Sequence, residues 1–178
     1  MMKVYQSSIR KLSIFLARVK GIPKNISLDE RILRILFHPM NIKKTGNLIK
    51  PNSFKSPSGI DEVSTNRLDF TTFEFCKMHA KRIQNPTEKR TYFGFAVLKN
   101  KEIIKAKAIV EFSPKLFRYL NLTHSDIKIG HIRPVPVNGI GEELPSEFTL
   151  IIDELASNAK LYTDPNINSI EWLGDQLN

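Results

Sequence analysis

Residues 91–112 read TYFGFAVLKNKEIIKAKAIVEF, two segments rich in aromatic and β-branched side chains on either side of Lys99-Asn100. The second segment alternates through Ile104, Ala106, Ala108 and Val110, the period-2 pattern of a strand with one buried face. The pair predicts a β-hairpin, and a hairpin commits the chain to an antiparallel sheet. Working outward, ERILRILF at 30–37 predicts a buried strand, with a helical turn as the alternative, and EVST at 62–65 a brief one. IKIGHIRPVPV at 127–137 reads as an extended segment stopped by prolines.

Helical signals surround these strands. Thr71 followed by Glu74 forms a capping box ahead of TTFEFCKMHAKRI, and Ser113-Pro114 starts a short helix through LFRYL. Ser146 can cap EFTLIIDELASNAKLY, with Phe148, Ile151, Ile152 and Leu155 on one face. Residues 1–20 place Ile9, Leu12, Phe15, Leu16 and Val19 at helical spacing among Arg10, Lys11, Arg18 and Lys20, and Gly21 and Pro23 end the helix. The expected class is α+β: a single domain with a small, mostly antiparallel sheet packed by two or three helices. Its expected parts are an N-terminal basic amphipathic helix (1–25), the domain proper (26–163) and an acidic C-terminal tail (164–178).

The chain has 178 residues, 41% hydrophobic and 25% charged, the composition of an ordinary globular domain. A single Cys excludes an intrachain disulfide and a cysteine-built zinc finger, which suits a reducing, cytoplasmic setting. No apolar run reaches the roughly 18 residues of a membrane span. The net charge is +9, unevenly distributed: 12 basic and 2 acidic side chains lie in residues 1–60, 14 and 8 in 61–133, and 1 and 8 in 134–178. A basic body raises the local concentration of anions, so the expected partner is nucleic acid, RNA ahead of DNA, or an acidic protein. The alternative is that the lysines only solvate the surface.

GxxxxGK[ST], GxGxxG, HExxH, GxSxG and CxxC are all missing, which removes the usual signatures of NTPases, dinucleotide enzymes, zincins and α/β-hydrolases. No cofactor and no metal are expected. Four polar points remain: His38, Ser64 with Arg67, His124 with Asp126, and His131. His38 ends a strand beside a basic loop and is a candidate acid or base; a strand-end hydrogen bond would explain it as well. His124 precedes Asp126 by two residues, which allows an oriented imidazole or plain turn chemistry. Arg67 can grip phosphate or carboxylate with Ser64 beside it, or make a surface pair with Asp69 or Glu62. The loop 38–60 carries Lys43, Lys44, Lys50 and Lys55 as candidate phosphate contacts. Cys76-x-x-His79 is a weak start to a metal site, and FEFCKM reads as an apolar helix face.

The order FHP, KKTGNLIKPNSF, DEVSTNRL, FCK and HSDI resembles small uncharacterised bacterial proteins. In them a His-Pro, a downstream Phe, a Ser-x-x-Arg element and a His-x-Asp-Ile element recur in this order. The resemblance spans roughly residues 30–130. It implies that His38, Ser64, Arg67 and His124 form one set and carries no activity with it. The N-terminal helix has no counterpart in that pattern, and Ser125 stands where a small apolar residue is expected.

Two functions follow. One is a metal-independent endoribonuclease or nucleotide-acting enzyme in which His38 and His124 share acid and base roles while Arg67 and Lys43 or Lys44 offset phosphate charge. This requires both imidazoles to reach one substrate. The other is a noncatalytic module that binds nucleic acid or protein through the first helix and the basic loop, as a subunit of a larger assembly.

Overall fold

In the computed structural model, residues 2–43, 47–88, 90–116, 120–136 and 142–175 are described, residues 2–7 as backbone. Six strands form one antiparallel sheet: β1 (Arg31–Pro39), β2 (Val63–Arg67), β3 (Arg90–Lys99), β4 (Ile109–Phe112), β5 (His124–Lys128) and β6 (Lys160–Thr163). Their spatial order is β4-β5-β2-β1-β3-β6, and every pairing is antiparallel. The helices are α1 (Met2–Val19), α2 (Phe73–Ile83), α3 (Asn100–Lys105) and α4 (Ser146–Asn158). The α+β class, the antiparallel sheet and the N-terminal helix are as the sequence led us to expect.

Strand alternation divides the core in two. Ile32, Leu36, Ala96 and Leu98 face Ile103 of α3 and Ile152 and Leu155 of α4. Leu33, Ile35, Phe37, Tyr92, Phe95 and Val97 face Phe73, Cys76 and Ala80 of α2 together with Trp172. α1 is laid on the β4 end, with Ala17 and Ile22 against Phe112. Residues 164–175, counted as tail in the sequence, lie against α2. The buried Lys77 ammonium meets Asp164 at 2.7 Å and donates to the Asn166 carbonyl at 2.9 Å.

The predicted hairpin is not there. β3 ends at Lys99, whose N–H donates to Glu102 at 2.7 Å, and the chain turns into α3 before reaching β4 at the far edge of the sheet. Ile103 and Ala106 are buried while Ile104 is exposed, so EIIKAK follows helical spacing, favoured by its Glu, Lys and Ala. Three smaller corrections concern caps and ends. α2 is capped by Thr72, whose hydroxyl accepts from the Phe75 N–H at 3.2 Å, and not by Thr71. Ser146 is the first residue of α4, whose cap position is Pro145, and that helix stops at Asn158 so that KLYT becomes an edge strand. HSDIK is a strand and not a turn. The helix expected through LFRYL lies largely outside the described residues; Lys115 and Asn121 on either side of it form an isolated antiparallel bridge.

Candidate functional site

β1 and β2 pair only at Ile32↔Arg67 and Leu33↔Asn66 among the described residues, and then part. Arg34 is inserted where they separate: its Nε donates to the Ser53 carbonyl at 3.1 Å and its Nη1 to the Ser64 carbonyl at 2.7 Å. A charged side chain there satisfies the Ser64 carbonyl, which the missing ladder would otherwise leave open. The parting creates a cavity of about 460 Å3 on the α2 side of the sheet, within the range of small-ligand sites. Ile35, Phe37 and Ile83 give it an apolar wall, and Arg34, Arg90, Lys55 and Lys115 give it charge. Glu62 is the one carboxylate among its described lining residues. Arg90 lies over the Phe37 ring at 4.7 Å, and no ion pair among the described residues involves Arg34, Arg90 or Lys55. Burial, and then the neighbouring Arg90 charge, pull the Arg34 guanidinium down to about 10, which leaves it cationic at neutral pH.

The floor is polar. The Asn121 amide donates to Asn66 Oδ1 at 2.6 Å, and Thr123 donates to Asn121 Oδ1 at 2.9 Å. His124 pairs in register with Asn66 and is 6% exposed. Its Nδ1 lies 2.9 Å from the Ser113 carbonyl and 2.9 Å from the Ser113 hydroxyl, and that hydroxyl donates to Asp126. A donor Nδ1–H on the carbonyl leaves Nε2 as the acceptor. Burial pushes this imidazole down to about 3, with the Lys115 charge adding to it, so His124 is a neutral hydrogen-bonding group. His79 of α2 joins it in the cavity, and burial followed by Arg82 also lowers its pKa.

Of the residues singled out in the sequence, Ser64 and His124 line this cavity. Arg67 and His38 do not. Arg67 is fully buried on the other face of β2: its Nη2 bonds Glu30 at 2.8 Å and the Asn25 carbonyl at 3.1 Å, between the Phe70 and Phe112 rings at 4.8 Å each. Its anion is inside the protein, so it serves as a bracket for residues 23–30. His38 follows Phe37 and by alternation points away from the cavity, toward Phe93, with ring centroids 6.2 Å apart. The convergence of His38 and His124 that a shared acid and base role requires is therefore not formed; His79 is the imidazole that shares the cavity with His124. Among the described loop lysines only Lys55 reaches it. Lys50 donates to the Pro39 carbonyl at 2.7 Å, Lys43 lines a separate hollow with Asp153, and Lys44 lies outside the described residues.

Sequence reading missed Arg34, Arg90 and Lys115, and weighed His79 only as a metal ligand beside Cys76. Arg34 carried a signal: a charge between Leu33 and Ile35 in an otherwise apolar strand must be neutralised or used. Cys76 is buried with its thiol pushed up to about 12, so it acts as a small apolar side chain. No group of three or more His, Cys, Asp or Glu among the described residues could hold a metal ion, and no helix among them is long and apolar enough to cross a membrane. The fold and site define a single-sheet α+β protein with a cationic cleft beside a parted strand pair. Comparison with family models, curated proteins and solved structures gave no match.

Proposed function

We propose that the cleft binds the phosphate groups of a nucleotide or of single-stranded RNA, and that the protein is a nucleic-acid-directed binding protein. The observation that carries this reading is the convergence of Arg34, Arg90, Lys55 and Lys115 on one cavity whose described lining holds a single carboxylate, Glu62. Arg34, Arg90 and Lys55, with no ion pair among the described residues, retain their full attraction for phosphate, Lys115 shares its charge with Asp126 at 3.9 Å, and arginine adds a two-pronged donor. The amides of Asn66 and Asn121 and the Nε2 of neutral His124 supply hydrogen bonds for the rest of the ligand.

The test is fluorescence anisotropy of a labelled nucleoside monophosphate and a short single-stranded RNA, in EDTA, across a salt series. Binding is expected to weaken as salt rises, and Lys55→Glu and Arg90→Gln are each expected to cost about tenfold and to flatten the salt slope by about one contact. Binding that ignores both salt and Lys55→Glu would refute the reading. Catalysis is a second reading, favoured by the presence of His79 and His124 in the same cavity. Cleavage of the RNA that disappears in His79→Ala would convert the binding protein into an enzyme.

A further inference from the structure

We propose that the exposed side of α1 is a docking surface for an anionic lipid bilayer, which it meets lying flat. On this helix the inward line is Ser13 and Ala17, both buried, with Ala17 against Phe112 and Ile22. The outward line is apolar as well: Leu12 is 48% exposed, Phe15 61% and Val19 66%. At about 100° per residue these three fall within one arc of about 60°, a continuous crest along the helix. Lys11 and Arg18, both exposed, border that crest on one flank, and exposed Lys20 and Lys24 follow its end. No Asp or Glu occurs in the chain before Asp29.

The charge pattern selects the occupant. A protein groove would have to enclose a convex helix and supply acids along its sides. A bilayer of anionic lipid presents phosphate in the plane beside the crest and acyl chain beneath it. Leucine, phenylalanine and valine then reach the headgroup boundary while the long basic side chains extend to phosphate. Since no described helix can span a membrane, the contact is a surface one. Apolar burial and lipid charge each contribute, so both are required for stable attachment.

Flotation of the full chain with vesicles tests this. One set is phosphatidylcholine alone, and the other contains about a quarter phosphatidylglycerol. The protein is expected to float with the anionic vesicles, to remain below with the neutral ones, and to be released by salt. Phe15→Ser with Val19→Ser should lower partitioning by about tenfold or more, and Lys11→Glu with Arg18→Glu should abolish it. These side chains are exposed, so folding is checked independently by circular dichroism. Lys55→Glu should float like the wild type, which separates this surface from the cleft. Failure of the wild type to float with anionic vesicles would overturn the proposal. So would partitioning indifferent to both α1 variants, or a dimer in sedimentation that the Phe15 and Val19 changes dissociate.

Discussion

Two buried residues show how far a side chain's surroundings decide its role. Outside the fold an imidazole protonates near 6.5, and folding pushes His124 down to about 3. Between those values the unfolded chain binds a proton that the folded chain refuses. The stability that His124 supports is therefore complete above about pH 6.5 and is lost as pH falls toward 3. Wild type is expected to lose about 2 kcal/mol more than His124→Gln between about pH 7 and pH 5, measured from urea midpoints. A resonance assigned to the His124 imidazole that titrates near 6.5 would overturn it. Arg67 makes the complementary case. The sequence marks it as a residue suited to an anion, and leaves open Asp69 and Glu62. The structure gives Asp69 to Arg31 at 2.6 Å and holds Arg67 on Glu30, 37 positions back. Such a pairing depends on the β1–β2 register, which no local pattern states. Arg67→Met strands the Glu30 carboxylate and is expected to cost about 3–5 kcal/mol by chemical denaturation, with much of it recovered in the Glu30→Gln, Arg67→Met double variant.

At the level of elements, β1 and α2 were legible because each meets one rule consistently: a short apolar run bounded by turns, and a capped amphipathic helix. The 100–112 region was misread because Ile104, Ala106, Ala108 and Val110 satisfy period 2 while Ile103 and Ala106 satisfy helical spacing, and only the position of the core chooses between them. The cleft was hidden for a similar reason, since it exists where two strands stop pairing. KLYT was absorbed into the preceding helix although it closes the sheet as β6, against Gly94–Val97 of β3. Gly94 is what permits that closure: a Cβ there would lie 2.2 Å from the Tyr162 carbonyl oxygen, and backbone cannot yield as a side chain can. Gly94→Ala is expected to lift β6 at a cost of about 1–3 kcal/mol or more. Residues 164–175 should follow, because Asp164 N–H bonds the Phe93 carbonyl at 3.2 Å beside Gly94. Trp172, the one tryptophan of the chain, stacks on Phe73 at 4.7 Å and packs on Phe95 at 5.1 Å. Its emission should therefore shift to the red in the variant, and unchanged emission with unchanged stability would show that β6 accommodates the methyl.

Over the whole molecule the acidic side chains of residues 134–178 stay out of the described lining of the cleft. Acidic side chains crowd residues 134–178, including Glu147, Asp153 and Glu154 of α4, which covers the face opposite the cleft. The tail does fold back on the basic body, yet it spends its contacts on α2. Lys77 is held by Asp164, the Asn166 and Glu171 carbonyls and Ser169, and Lys81 by the Asn168 and Ser169 carbonyls. The cleft cations keep no acid from it, so their mutual repulsion is a standing cost that a bound anion would relieve. A ligand that binds the folded chain alone adds RT ln(1 + [L]/Kd) to stability, about 2.7 kcal/mol at a hundredfold excess over Kd. For a chain of this size that corresponds to a rise in Tm of roughly 5–10 °C. Thermal unfolding with and without a nucleoside monophosphate should show this rise at low salt and little of it at high salt. In Lys55→Glu the rise should shrink, while the ligand-free protein should melt slightly higher because one repelling charge has gone. An increment that persists unchanged in that variant would place the phosphate somewhere other than the parting of β1 and β2.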